Sequence, residues 1–296
     1  MLCPRRCGVD RFVRTGVCGA NDTLRVGRAV LHWWEEPCLV GDRGSGAVFF
    51  AHCALGCVYC QNKRLAEGEG VEITQERLRE ILLELQNEQR AANINLVTAS
   101  HYAPSVAEVL RELRASGALH IPVVWNTSGY ESAQTLALLE GLVDIYLVDF
   151  KYSNPTTAQR LSRASDYVGV ALAAIEQMIE QTGAPRSSKE GYLERGVIVR
   201  HLVLPGYVDD SLAALDLLYP RIRGRALLSI MNQFTIVDET LDVRAYGLER
   251  AVSDEAYERV LDHADELGFE DYFWQEGGAA SESFVPAFDG TGVLVP

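Results

Sequence analysis

The chain has 296 residues, 48% of them hydrophobic, with a mean hydropathy of -0.01, so it can bury a core for one large domain or two small ones. Its 41 acidic residues against 27 basic ones give a formal charge of -14, which speaks against broad electrostatic binding of a nucleic acid backbone. The N-terminus, MLCPRRCGVDR, has no apolar run after its arginines, and no uninterrupted stretch of roughly 18 apolar residues occurs, so neither a signal peptide nor a membrane span is expected. The cytoplasm is the expected compartment, and there seven cysteines clustered toward the N-terminus read as metal ligands rather than as a disulfide framework.

In chain order, residues 1–45 read as a small N-terminal extension containing four of the cysteines. An apolar strand at 47–51 ends at the stretch CALGCVYC and is followed by a helix over 74–89, with leucine and isoleucine at helical spacing. The unit recurs as INLVTAS with a helix over 105–116, IPVVWNTS with a helix over 132–139, and DIYLVDFK with helical sequence running to Met178. GVIVRHLVLPG then precedes a helix over 211–219, and ALLSIMNQF precedes a helix over 253–267. Near-continuous apolar strands alternating with amphipathic helices imply a parallel sheet covered on its outer face, and right-handed crossovers curl it toward a barrel. The expected fold is α/β, a partial (β/α)6 TIM-type barrel over 46–270, with 271–296 as a tail that wraps the barrel and closes its open side.

Such sheets place ligands at the carboxyl ends of their strands. Polar residues fall there: Cys53; Thr98, Ser100 and His101; Asn126, Thr127 and Ser128; Asp149 and Lys151; Arg200 and His201; Asn232 and Gln233. Charges within apolar runs suggest a lined cavity, since unpaired buried charge is costly; for Asp149 and Lys151 a structural ion pair is the alternative.

The three cysteines at 53, 57 and 60 are spaced C-x3-C-x2-C. Structural zinc and all-cysteine 4Fe-4S clusters take four protein ligands, so either a fourth lies elsewhere or one metal position is open, as a catalytic site requires. CALGCVYCQN resembles the cluster loop of radical S-adenosylmethionine (radical SAM) enzymes. CPRRCGVDR, LHWWEEPCLVGDRGSGAVFF, NINLVTASHY, NTSGYE, VDIYLVDFKY, VRHLVLPG and SFVPAFDGTGV, spread over nearly the whole chain, resemble segments of proteins related to pyruvate formate-lyase activating enzyme.

The resemblance implies a 4Fe-4S cluster on Cys53, Cys57 and Cys60, with SAM on the open iron through its amino and carboxylate groups. Reductive cleavage would give methionine and a 5'-deoxyadenosyl radical that abstracts hydrogen. It also implies that Tyr59 lies by the adenine and that Lys151 and Arg200 lie near the SAM carboxylate, with Ser128 among the contacts. Asn126, Thr127 and Asp149 match positions that help bind a monovalent cation, although the family residue at 126 is typically aspartate. Ser100 or His101 would receive the SAM amino group, because SHYAP stands where many relatives have a Gly-Gly-Glu-Pro-like segment. The implied partners are a glycyl radical protein as substrate and a reductant such as flavodoxin or ferredoxin, with no nucleic acid and no membrane. A small molecule or peptide is the alternative substrate, and a non-catalytic iron-sulfur or zinc protein is the alternative class.

Cys3, Cys7, Cys18 and Cys38 number four, the complement of a second metal site, although their spacing is not that of a standard zinc finger; free thiols are the other reading. Trp33 and Trp34, beside Glu35 and Glu36, read as packing or as a substrate entrance. GDRGSG reads as a turn, since no GK[ST] follows it, and the acidic helix over 253–266 as a solvated face.

Overall fold

Apolar runs of four to ten residues form the central strands of one ten-stranded sheet in the computed structural model, which describes residues 2–235, 243–275 and 286–294. The elements in order are β1 (Leu24–His32), α1 (Pro37–Val40), β2 (Ser45–Phe50), α2 (Lys63–Ala66), β3 (Val71–Ile73), α3 (Gln75–Asn87), β4 (Ile94–Val97), α4 (Ala103–Ala115) and β5 (Val123–Thr127). They continue with α5 (Ala133–Leu139), β6 (Ile145–Asp149), α6 (Pro155–Ser162), α7 (Tyr167–Thr182), β7 (Arg186–Ser187) and β8 (Leu193–Leu202). The last are α8 (Val208–Ile222), β9 (Leu227–Met231), α9 (Asp254–Leu267) and β10 (Phe273–Trp274).

The strand order is β10-β9-β8-β6-β5-β4-β2-β1-β3, with β7 on β8. From β2 to β10 the neighbours on this path are parallel, and β2, β4, β5, β6, β8 and β9 are the six expected barrel strands. Several helices start where a side chain takes up a free backbone N–H: Thr74 accepts from Arg77, Ser132 from Thr135, Asn154 from Thr156 and Ser253 from Ala256. Fully buried Trp125, Tyr146 and Phe150 lie in the principal core.

Four strands lie outside the expected alternation: the two-residue β7 and β10, and β1 and β3. β1 runs antiparallel to β2, and β3 antiparallel to β1, so the N-terminal part of the chain supplies sheet edge. The apolar residues of LRVGRAVLH are interrupted by two arginines, which hid the strand. Because His32 pairs with Ser45, β1 ends at the amino edge of β2, and the chain then crosses beneath the barrel. There Leu39 of α1 packs with Val124, Ile145, Leu147, Leu193 and Ile198 as a floor.

Of the tail, 276–285 and 295–296 lie outside the described residues. Residues 286–294 lie against β1 and α3: Gly290 N–H donates to Gly27 at 2.9 Å, and Arg77 Nε to the carbonyl of Val293 at 2.8 Å. Phe288 packs with Phe49, Leu65 and Val97. Among the described residues no helix is long and apolar enough to cross a membrane.

Candidate active site

Beyond Phe50 the chain leaves β2 and turns through the cysteine loop, with positive φ at His52 (73°) and Gly56 (65°). Backbone bonds tie the loop to its surroundings: His52 N–H to Leu65 at 2.7 Å, Val58 N–H to Leu161 at 2.9 Å, and Cys60 N–H to Cys57 at 3.2 Å. Ser162, at the end of α6, donates its hydroxyl to Cys57 Sγ at 3.0 Å and shares a 2.6 Å bond with the Tyr152 hydroxyl. Cys53, Cys57 and Cys60 are partly buried and line a cavity of about 360 Å³. Burial pushes the Cys53 thiol up and the Cys60 thiol to about 12, so without a cation these thiolates are disfavoured.

The same cavity is lined by Tyr59, Thr98, Asn126, Thr127, Ser128, Asp149, Lys151 and Arg200, which brings together expected positions from five strand ends. Lys151 Nζ bonds Asp149 Oδ2 at 2.6 Å. Burial opposes the ammonium charge, but the Asp149 carboxylate together with Tyr59, Cys57 and Tyr167 outweighs it and holds the Lys151 pKa well above the ordinary value. Tyr59 is buried, edge-on to Tyr152 and Phe234. Gly129, at φ 77°, sits where a Cβ would stand 2.5 Å from the Asp149 carbonyl, so the β5 and β6 ends can approach only with glycine here.

Arg200 is committed to partners that the sequence did not suggest. Its Nε and Nη2 pair with both oxygens of Glu36 at 2.7 and 2.6 Å, and Nη2 also pairs with Glu35. Glu35 further accepts from Asn95 Nδ2 at 2.8 Å and Asn126 Nδ2 at 3.4 Å. For Arg200, burial is outweighed by Glu35 and Glu36, which hold its pKa well above normal; for Glu36, burial is outweighed by Arg200, which holds its carboxyl low. Trp33 and Trp34, about half exposed, follow directly on the end of β1 at the amino edge of β2 and line the cavity as well.

Ser100 and His101 are not brought to the cavity. Both are buried, with Ser100 Oγ donating to Glu131 Oε1 at 2.5 Å and His101 Nε2 bonded to the Ala51 carbonyl at 2.8 Å. Burial lowers the His101 pKa to about 3, so its ring is neutral. The reason is local: Thr98, at φ 61°, faces the cavity and turns the chain outward into a short 3-10 turn at Ser100–Tyr102. Glu131, which the sequence did not single out, also accepts from Thr127 Oγ1 at 2.6 Å and Trp125 Nε1 at 3.1 Å, while its Oε2 is buried without a partner.

Burial raises the Glu131 pKa, so the proton is held more tightly folded than unfolded, and this contribution to stability is lost as pH rises through the folded value. Glu131→Gln should therefore gain stability relative to the parent as pH rises above 4.5, the ordinary glutamate value. Denaturant unfolding at pH 5 and pH 8 checks this; a difference independent of pH would show that Glu131 does not titrate in that interval.

The four remaining cysteines do not form the expected four-thiolate site. Cys7 and Cys18 sulfurs stand 3.4 and 3.5 Å from where a Gly16 Cβ would lie, and Cys3 is close enough for both to raise its pKa, after burial. Cys38 instead lies on α1 against the floor cluster, its thiol pushed to about 12 by burial and by Glu36. Among the described residues no group of three or more His, Cys, Asp or Glu is arranged to hold a single metal ion. The loop thiols fall under the same statement, but a cubane cluster takes one thiolate on each of three irons, so its sulfurs need not converge on one point.

Three thiols on one loop, beside a polar cavity at the carboxyl ends of parallel strands, fit an iron-sulfur centre with an open position. Residues 48–218 match the Radical SAM superfamily, and the chain belongs to it. The cofactors of that superfamily are a 4Fe-4S cluster and SAM. An uncharacterised protein of Methanocaldococcus jannaschii is 26% identical over 244 residues, covering 79% of this chain. The chain spans 65% of that relative's length. Among solved structures, a radical SAM methyltransferase from Sphaerobacter thermophilus shares the fold, with TM-score 0.57 and 14% identity over 86% of this chain and 72% of that one. A domain of pyruvate-formate lyase-activating enzyme from Bacteroides vulgatus has TM-score 0.42 and 12% identity over 60% of this chain and 92% of that one, too distant a likeness to argue from.

Proposed function

We propose that the protein is a radical SAM enzyme whose cluster sits on Cys53, Cys57 and Cys60. The observation that carries this is that the three thiols line one cavity together with Asp149, Lys151, Asn126 and Thr127. Bound there and reduced, such a cluster would supply the one-electron chemistry that cleaves SAM and generates a radical able to take hydrogen from substrate.

This chain's residues bind and orient. Lys151 offers a cation to the SAM carboxylate, restrained by Asp149, and Tyr59 gives the adenine an apolar wall. Thr98, Thr127 and Ser128 line the cavity where hydroxyl and amino groups need partners. Asp149, Asn126 and Thr127 remain the positions for a monovalent cation, and the asparagine brings one negative charge fewer than the family's aspartate. Arg200 acts as a positioning residue, fixing the two glutamates of the wall. The substrate we favour is a flexible glycine-bearing segment of a glycyl radical protein, supported by the segments that resemble activating enzymes and by the half-exposed Trp33, Trp34 and Trp274 at the cavity.

The test is anaerobic. Protein reconstituted with iron and sulfide and reduced with dithionite should convert SAM to 5'-deoxyadenosine, read by chromatography. A cluster that forms without binding or cleaving SAM would overturn the assignment in favour of a closed electron-transfer centre.

A further inference from the structure

The N-terminal loop differs in character from the rest of the molecule. Residues 2–20 carry Arg5, Arg6, Arg11 and Arg14 against Asp10, a formal +3 on a chain of -14. Phe12, Val13 and Val17 are 85%, 79% and 68% exposed, the three most exposed large apolar side chains among the described residues. Arg6 and Arg14 are exposed beside them. Isolated apolar residues at a surface need no explanation, but three on one loop, flanked by exposed arginines, have the composition of an interface.

This loop is fastened to the cysteine loop. Arg5 Nε donates to the Ala54 carbonyl at 2.8 Å, and its Nη2 donates to Leu55 at 2.9 Å and Ser162 at 2.8 Å. Gly19 stands so close to His52 that a Cβ there would meet the ring at 2.8 Å. Exposed Arg163 adds a further guanidinium, 3.8 Å from where a Gly56 Cβ would lie. The basic, apolar surface therefore lies over the outer side of the segment carrying Cys53 and Cys57.

We propose that this surface, Phe12, Val13 and Val17 with Arg6, Arg14 and Arg163, docks a small acidic one-electron carrier protein that reduces the cluster. The occupant follows from charge and position: an acidic carrier is repelled by the molecule as a whole and drawn to basic surface, and this basic loop is bonded directly to the cysteine loop through Arg5. In the transfer, an anionic flavin hydroquinone loses one electron to become the neutral semiquinone, the cluster gains that electron, and no proton moves. The proposal rests on the cluster assignment above.

The experiment uses the reconstituted full chain in anaerobic stopped flow, following loss of the cluster's visible absorbance, with flavodoxin hydroquinone or dithionite as reductant. The doubly charge-reversed Arg6→Glu/Arg14→Glu variant should be reduced by flavodoxin at least ~10-fold more slowly at low salt, with dithionite reduction unchanged. The parent's flavodoxin rate should fall as ionic strength rises, a measurement that stands if the variant does not fold. Equal flavodoxin rates in parent and variant, or a parent rate insensitive to salt, overturn the proposal while dithionite reduction still supports the cluster. A self-association that Phe12→Ser abolishes would overturn it in favour of a second copy of this chain. Failure of any cluster to form would remove the functional reading and this proposal together.

Discussion

Replacing Cys57 by alanine should reduce cluster iron after anaerobic reconstitution to background and abolish 5'-deoxyadenosine formation with it. Cys57 is the middle thiol of the loop, and its sulfur accepts the Ser162 hydroxyl, itself joined to Tyr152. Removing one of three ligands from an incompletely protein-ligated cluster leaves two irons exposed, whereas Ser162→Ala removes a hydrogen bond worth ~0.5–1.5 kcal/mol and should leave iron content near that of the parent. Iron assay and chromatography on the two variants together check the ligand assignment. SAM cleavage retained by Cys57→Ala would show that the cluster is held elsewhere.

Arg200→Ala should destabilise the whole protein, by about 3–5 kcal/mol, because it leaves Glu35 and Glu36 buried without their cation. The corresponding fall in Tm is roughly 6–12 °C for a chain of this size. Replacing the three residues together, Arg200→Met with Glu35→Gln and Glu36→Gln, should recover much of the loss, since no charge is then stranded. A variant with parental Tm but lost SAM binding would restore Arg200 to the carboxylate contact that the family resemblance implies. The triad also fixes a pH dependence. The Glu36 carboxyl is held below its ordinary 4.5, so its contribution is present above that value and lost as pH falls through the lower folded value. Acid unfolding of the parent should show this loss, and Glu36→Gln should not.

The barrel was legible because each parallel strand is an apolar run bounded by a polar strand end, followed by a helix of different period. The cysteine loop was legible because all three of its cysteines fall within residues 53–60. Arg200's partners were not, since the pairs span 164 and 165 positions and no periodicity records a contact of that range. Ser100 and His101 were misplaced for the opposite reason: one residue in a left-handed conformation, Thr98, reverses the chain, and neither composition nor spacing signals that rotation. Cys38 was grouped with the other N-terminal cysteines by count, but the chain after β1 carries it beneath the barrel, against residues of β5, β6 and β8.

The floor beneath the barrel has a consequence for assembly during synthesis. Leu39 and the two glutamates are made early, yet they close against Ile198 and Arg200 on β8. Until β8 is available, the early carboxylates must stay hydrated, and the open end of the nascent sheet exposes Val124, Ile145 and Leu147. Closure therefore couples the first third of the chain to the last, so that folding is slow to commit and a truncated product ending before β8 should aggregate rather than persist as a partial barrel.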